Sequence, residues 1–300
     1  MDDIKELLKQ VKRIEIRSRQ DMDDLTAGAY RSRFKGQGMA FEDVREYVPG
    51  DDVRHIDWNV SARAGHPYVK VFREEREMTV LLVVDCSGSM RFGAIPGFSS
   101  RSKMATAAEA AAMVAITALA NKDQIGLLVF SDRCERHLAP RRGRNHILRL
   151  VREIIDPTRP PRSTDLTAAL DEVLRTQRRR TVCFLVSDFL NLDERFAARL
   201  QRVRRKHDLI GIRIDDPAER ELPKGTWPLA LEDPETGNMA VLADNLRARE
   251  RYRQAWLQQR ERCRLAFLAA ACDLLDCDTE SSTLRSLQRF FSLRRRRIRV

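Results

Sequence analysis

Short apolar segments alternate with helical patterns from about residue 78 onward, and the first is the stretch Thr79–Met90 (TVLLVVDCSGSM). Residues 80–84 are all apolar, three of them are β-branched, and small or polar residues follow at once. A short apolar run bounded by turn residues is typical of a strand that is buried on both faces, as in parallel sheets. The stretch therefore predicts a central strand of an α/β sheet.

The rest of the chain continues this alternation. Apolar runs predict further strands at 124–130, 181–186, 208–214 and 272–278, with an edge strand at 134–138. Helical spacing predicts helices at 103–120, 145–155, 166–174, 192–206, 244–271 and 283–293. The Pro- and Gly-containing stretch 217–241 predicts an inserted loop with room for a hairpin. Strands and helices that alternate through short loops predict a doubly wound, mostly parallel sheet with right-handed crossovers over 79–300.

Two segments precede this domain. Residues 1–27 place apolar side chains at roughly helical spacing, which predicts an N-terminal amphipathic helix. Residues 28–78 are punctuated by glycine and proline, and YVKVF at 68–72 alternates as a strand does. We expect 28–78 to form a segment of short strands and loops that packs on the following domain.

Composition and charge bear mainly on the class of partner, and they leave the predicted fold unchanged. The chain has 300 residues, 43% of them hydrophobic, and 55 Lys and Arg against 44 Asp and Glu. A basic balance could attract nucleic acid, anionic lipid or an acidic partner. Aromatic residues are only 6% and do not interleave with the basic runs, so a solvated, Arg-rich surface is favoured and no nucleic acid is expected as a partner. The run Arg294–Arg297 is interpreted as a frayed, solvated tail.

Cysteine usage and hydropathy suggest a location. The six cysteines form no C-x-x-C pair, so neither a zinc ribbon nor a redox motif is indicated, and a reducing compartment is favoured. The N-terminus is charged from its second residue, unlike a signal peptide. No apolar run approaches the roughly 20 residues that span a bilayer. We expect a cytoplasmic protein without a membrane span.

Polar oxygens follow three of the predicted elements. Asp85, Ser87 and Ser89 come directly after the first strand, Thr164 precedes a helix, and Asp188 follows the strand at 181–186. Ligands of open α/β sheets bind beyond the carboxyl ends of the strands, so these loops are expected to meet. Two carboxylates and three hydroxyls suit a small, hard cation such as Mg²⁺, Mn²⁺ or Ca²⁺, with part of its coordination open.

Other interpretations of the same residues stay open. Thr164 and Asp165 would also make a helix N-cap, and Asp85 could be the nucleophile of a phosphohydrolase. Phosphatases of the haloacid-dehalogenase type carry a second acid two residues after the nucleophile, where this chain has Ser87, and D-C-S-G-S is not the G-x-S-x-G elbow of serine hydrolases. A nucleic-acid binder rests on net charge alone.

A second polar group lies within 28–78. His55, Asp57 and His66 could suggest another metal site, but their spacing fits no standard zinc pattern. We expect instead that the charged and aromatic residues of this segment form a buried polar knot; these are Asp51, Asp52, Arg54, Asp57 and Trp58.

The loop residues resemble a known site. Asp85, Ser87, Ser89, Thr164 and Asp188 look like the five positions of the metal-ion-dependent adhesion site of von Willebrand factor A domains. Residues 30–77, which include FEDVREYVPGDDVRHIDWNVSARAGHPYVKVF, are similar to the hallmark region of a bacterial family catalogued as domain of unknown function 58. These are von Willebrand A-like proteins commonly encoded beside MoxR-type AAA+ ATPases.

The resemblance implies a Rossmann-like A domain and a divalent cation, usually Mg²⁺. By the family pattern Ser87, Ser89 and Thr164 are direct ligands, whereas Asp85 and Asp188 bind directly or through water. It implies a non-enzymatic interaction module that takes a partner's carboxylate at the open position. The partner would be a MoxR-type ATPase or its client, in protein maturation or assembly. Ser163 and Phe189 stand where the pattern usually has glycine.

Overall fold

The computed structural model describes residues 39–74, 78–94, 101–156, 158–160, 162–222, 228–242 and 246–299. The helix predicted over 1–27 lies outside these residues. The described chain divides into two compact units, one up to Met78 and the other from Thr79 onward.

The smaller unit is an antiparallel strand pair with a short helix between its strands. Strand β1 (Met39–Glu46) pairs with β2 (Tyr68–Glu74). Helix α1 (Trp58–Ala64) begins after Asp57, whose carboxylate accepts the amides of Asn59 and Val60, and ends at Gly65 in the left-handed conformation (φ 78°). Both caps satisfy backbone groups that a short helix leaves without partners.

The expected buried polar knot in this unit is wrong. Asp51 pairs with Arg45 at 2.6 Å and Asp52 with Arg54 at 2.9 Å, both near the surface, and the Trp58 side chain is 71% exposed. These charges are satisfied by neighbours close in sequence and need no burial. Asp57 serves as the helix cap, and His66 lies 3.1 Å from Glu46. Among the described residues, no three His, Cys, Asp or Glu side chains form a group that could hold a metal.

The larger unit contains a six-stranded sheet. Its strands are β3 (Thr79–Asp85), β4 (Gln124–Phe130), β5 (Cys134–Arg141), β6 (Val182–Ser187), β7 (Asp208–Asp215) and β10 (Asp273–Asp278). Their order in the sheet is β10-β7-β6-β3-β4-β5. All neighbouring pairs are parallel except β4 and β5, so β5 is the antiparallel edge strand. The predicted α/β class with a mostly parallel sheet is confirmed.

Helices connect these strands and cover the sheet. They are α2 (Lys103–Ala120), α3 (Arg144–Ile154), α4 (Leu166–Thr176), α5 (Phe196–Lys206), α6 (Leu246–Ala269) and α7 (Thr283–Arg299). A separate hairpin of β8 (Leu229–Glu232) and β9 (Met239–Leu242) lies between β7 and α6 in the chain. Its position corresponds to the stretch 217–241, for which the sequence predicts a loop with room for a hairpin.

The core follows from the apolar runs. Residues 80–84 of β3 are at most 1% exposed because β3 lies between β4 and β6 with helices nearby. Helix α2 is apolar on nearly all sides and buries most of its length. Gly211 of β7 lets Phe267 of α6 approach closely, since an added Cβ would lie 2.4 Å from the ring. Burial of this kind is the main favourable term in folding.

The basic C-terminal run is part of helix α7, so the expected frayed tail is wrong. Arg294 is only 8% exposed. Its guanidinium donates to Asp208 at 2.6 Å and lies 3.4 Å from a carboxylate oxygen of Asp273. These ion pairs join the helix to the first residues of β7 and β10. They explain why the helix continues into the arginine run.

Candidate metal centre

Three loops meet at the carboxyl end of the sheet. They follow β3 (residues 86–91), precede α4 (162–165) and follow β6 (188–191), and together they are called the crest. The first two are joined by the Gly88 amide, which donates to the Arg162 carbonyl at 2.9 Å. The strand ends that precede the first and third loops are joined by Ser187, whose hydroxyl donates to Asp85 at 2.6 Å. The predicted convergence of polar loops is thus present in the fold.

Asp85 ends β3 and is fully buried. One carboxylate oxygen accepts the Ser87 amide at 2.9 Å, and the other accepts the Ser187 hydroxyl. The pKa of Asp85 is raised to about 7, mainly by burial and to a smaller extent by the nearby Asp188 charge, while its hydrogen bonds to Ser187 and Ser87 act in the opposite direction. A buried carboxylate beside a second acid is unfavourable unless positive charge is close to it.

The two serines of the first loop face each other. Ser87 and Ser89 are buried, and their hydroxyl oxygens lie 3.2 Å apart. Ser87 precedes the short 3₁₀ helix Gly88–Arg91 without capping it through its side chain. The tight turn therefore orients both hydroxyls by backbone geometry and leaves them available to a common ligand.

Asp165, and not Thr164, provides the side-chain cap of the helix that follows this loop. Asp165 is the N-cap of α4 and accepts the Ala168 amide at 2.8 Å. Thr164 is half-buried and its hydroxyl donates at 2.7 Å to Glu235, which lies in the turn of the β8–β9 hairpin. Because capping is done by Asp165, the Thr164 oxygen keeps its lone pairs free for another ligand.

Asp188 is paired with a buried lysine that sequence reasoning missed. The Lys103 ammonium, with no exposed surface, donates to Asp188 at 2.7 Å and to Glu219 at 2.5 Å. Burial lowers the pKa of Lys103, but the two carboxylates outweigh it and the net shift is upward. Burial also raises the pKa of Glu219. The other oxygen of Asp188 accepts the Leu190 amide at 3.2 Å.

The two positions that depart from glycine behave differently. Ser163 is exposed, so its side chain meets no obstacle. Phe189 has φ 55°, a conformation that glycine adopts without cost, and is 1% exposed. Its ring packs against Phe196 and Phe267, with centroids 6.2 and 5.3 Å away. Apolar burial offsets the backbone strain and anchors the loop that carries Asp188.

The donor set fits a hard divalent cation. Asp85, Ser87, Ser89 and Asp188 are all at most 5% exposed, and each supplies oxygen. Oxygen donors suit Mg²⁺, Mn²⁺ or Ca²⁺ and offer nothing to a soft metal. Lys103 neutralises part of the acidic charge, so any cation would meet a less anionic site than two free carboxylates would give.

A cavity of about 460 Å³ lies beside the crest. Ser89 and Asn191 line its crest side, the hairpin turn lines another, and Tyr252 of α6 closes part of the wall. The Tyr252 hydroxyl donates to the Glu219 carbonyl at 2.9 Å. The hairpin residues Glu235 and Pro234, like Lys103 and Glu219, carried no motif in the sequence that would have assigned them to this site.

The sequence model of a protein family described as "Protein of unknown function DUF58" matches residues 43–262. The chain belongs to this family. A relative of this chain by sequence, the uncharacterized protein Rv1480 of Mycobacterium tuberculosis, is 29% identical over 298 residues, covering 99% of this chain and 92% of the relative.

Solved structures resemble the DUF58 chain in fold. BatB, a conserved hypothetical protein from Bacteroides thetaiotaomicron, has a TM-score of 0.47 at 14% identity, covering 74% of this chain and 98% of BatB. An aerotolerance-related membrane protein from Bacteroides fragilis has a TM-score of 0.44 at 16% identity, covering 72% and 97%. A von Willebrand factor type A protein from Catenulispora acidiphila has a TM-score of 0.39 at 13% identity, covering 75% and 43%.

The expectation of a cytoplasmic protein is wrong. One of the similar structures is described as that of a membrane protein. In addition, α2 is an 18-residue helix that is long and apolar enough to cross a membrane by length and composition, and 78% of it is buried inside the structure. A core helix of a soluble protein meets the same criteria, so the sequence argument from apolar length could not decide the location of this DUF58 chain.

Proposed function

We propose that this DUF58 chain is a non-enzymatic interaction module whose crest binds a Mg²⁺-type cation and, through it, an acidic side chain of a protein partner. Ser87, Ser89 and Thr164 would hold the cation, and Asp85 and Asp188 would support it directly or through water. The observation that carries the proposal is the burial of Asp85 and Asp188 beside two facing serine hydroxyls.

Electrostatics favours cation binding at this point. Burial and the nearby Asp188 charge raise the pKa of Asp85, and Lys103 forms its ion pair with Asp188 and not with Asp85. A bound divalent cation would supply positive charge to both and a coordination position for a third carboxylate. The hydroxyls contribute oxygen without further negative charge, which leaves the cation attractive to an incoming acid.

The geometry supports binding rather than phosphoryl transfer. Both oxygens of Asp85 already accept hydrogen bonds, and the side chain has no exposed surface from which to attack a substrate. The position two residues later is Ser87, which has no proton-transfer capacity comparable to a carboxylic acid. We therefore assign Asp85 a supporting role and no nucleophilic one.

Family resemblance suggests the partner. DUF58-type chains are commonly encoded beside MoxR-type AAA+ ATPases, so we propose such an ATPase, or a client protein that it acts on, as the source of the carboxylate. The pair would work in maturation or assembly of other proteins.

Affinity capture from native lysate tests this proposal. Wild-type protein should retain an AAA+ ATPase in Mg²⁺ and lose it in EDTA, whereas Asp85→Ala should lose it in both, because the cation site needs its buried acid. Glu261→Ala, which removes an exposed acid of α6 whose ion pair is with Arg264 of the same helix, should behave as wild type. Ser89→Ala serves as a second, milder variant. Retention of the same partners by Asp85→Ala in EDTA would contradict the adhesion mechanism.

A further inference from the structure

One residue of the hairpin turn is directed toward the crest. Glu235 is half-buried, whereas Asp233, Pro234 and Thr236 beside it are exposed. The turn is fixed by Asp233, whose carboxylate accepts the Glu235 amide at 2.9 Å and the Thr236 hydroxyl at 2.7 Å. Gly237 supplies the positive φ of 72° that closes the turn. The direction of Glu235 is thus built into the turn.

The Glu235 carboxylate joins two of the crest loops. One oxygen accepts the Thr164 hydroxyl at 2.7 Å, and the other accepts the Asn191 side-chain amide at 2.8 Å. Thr164 is one of the predicted cation ligands, so a carboxylate already lies within hydrogen-bond distance of a proposed ligand atom. A partner's acid that bound a cation held by Thr164 would have to approach the same hydroxyl oxygen.

The turn backbone rests on the remaining crest loop. A Cβ added to Gly88 would lie 2.0 Å from the Pro234 carbonyl oxygen, so only glycine allows this approach. The glycine between Ser87 and Ser89 therefore has a packing role that links the hairpin to the candidate site. All three crest loops contact the same turn.

The negative charge of Glu235 bears on the role of the hairpin turn. No Lys, Arg or His in the part of the chain that the structure describes forms an ion pair with Glu235. Its hydrogen bonds come from the neutral side chains of Thr164 and Asn191, and Asn191 lies in the loop that also carries Asp188. A cation held by Thr164 would supply the positive charge that Glu235 otherwise lacks.

We propose that Glu235 is an internal acidic ligand of the crest, which fills the position that a partner's carboxylate takes and so holds the interaction site closed. The inference rests on the proposed function and adds its regulation. A partner acid must displace Glu235, so the hairpin sets the threshold affinity that a partner has to exceed. Partners with weakly placed acids are excluded, and any event that lifts the hairpin exposes the site.

Mn²⁺ binding to the full chain tests this inference, read by isothermal titration and by the relaxation of water protons. Compared with wild type, Glu235→Gln should raise the Mn²⁺ Kd about 10-fold, the effect typical of losing a group at a metal site. It should also increase the proton relaxation per bound Mn²⁺, because water replaces the carboxylate. Acetate should then lower that relaxation at several-fold lower concentration than in wild type. Glu232→Gln, an exposed acid of the same hairpin, is the matched control and should match wild type.

The outcomes separate the two proposals. If wild type and Glu235→Gln bind Mn²⁺ with the same Kd, relaxation and acetate response, the internal ligand is overturned while the cation site stands. If Mn²⁺ binds none of the proteins, the proposed function fails and the inference fails with it. If Glu232→Gln and Glu235→Gln change Mn²⁺ binding equally, the change arises from the general surface charge of the hairpin. That result would also overturn the inference.

Discussion

Mg²⁺ should stabilise the wild-type protein against thermal unfolding, and Ser87→Ala combined with Ser89→Ala should abolish that gain. A ligand that binds only the folded state at 100 times its Kd stabilises by about 2.7 kcal/mol, which corresponds to a Tm rise of about 5–10 °C for a unit of this size. The two serines are expected to supply direct ligand oxygens, and their hydroxyls lie 3.2 Å apart in a buried turn. Differential scanning fluorimetry in EDTA and in Mg²⁺ measures the shift.

Ser131→Ala is the matched control for this experiment. Ser131 is also buried and also follows a strand of the sheet, but its hydroxyl donates to Glu135 at 2.7 Å and lies outside the predicted ligand set. This variant should retain the Mg²⁺-dependent rise in Tm. A rise of equal size in the double-serine variant would show that Mg²⁺ acts elsewhere on the protein.

Lys103→Met should lower the free energy of unfolding by about 3–5 kcal/mol in EDTA, the usual cost of breaking a buried ion pair by removing one partner. The substitution keeps the aliphatic bulk but leaves Asp188 and Glu219 without the ammonium that contacts both. If a cation binds beside Asp188, Mg²⁺ should recover part of this loss because it restores positive charge there. Urea unfolding in both buffers gives the two free energies.

Lys206→Met tests whether the effect is specific to burial. Lys206 ends α5 and is exposed, so its loss should cost less than about 1 kcal/mol and should be insensitive to Mg²⁺. A change below about 1 kcal/mol for Lys103→Met would contradict the buried ion-pair account. An equal loss in EDTA and Mg²⁺ would place any bound cation away from Asp188.

Much of the sheet was predictable because its strands are short apolar runs with abrupt polar ends. The prediction for β4 covered 124–130 and that for α2 covered 103–120, as in the structure. The hydrophobic pattern predicts such elements well because a strand or helix that is buried on all sides must be apolar along nearly its whole length. It failed at the arginine run, where ion pairs from Arg294 continue helix α7 beyond the apolar stripe.

The candidate site was predictable only in part, for a physical reason. Asp85, Ser87 and Ser89 lie within five consecutive residues at the end of a strand, so a local motif and the strand position were enough to group them. Lys103 and Glu235 reach the crest from other elements, and nothing in their local sequence distinguishes them from surface charges. Lys103 reaches the crest because α2 packs beside the loop of Asp188, and Glu235 because the β8–β9 hairpin folds back onto Thr164. Both contacts depend on tertiary structure.

The central claim is that the crest binds a divalent cation through Ser87, Ser89 and Thr164. The most direct test is a crystal structure of the wild-type protein grown in MnCl₂, with anomalous diffraction used to locate Mn²⁺. The account predicts a single strong peak at the crest, bounded by the hydroxyl oxygens of these three residues and close to Asp85 and Asp188. A fully bound Mn²⁺ at another surface, or a crest without a peak at saturating MnCl₂, would contradict it.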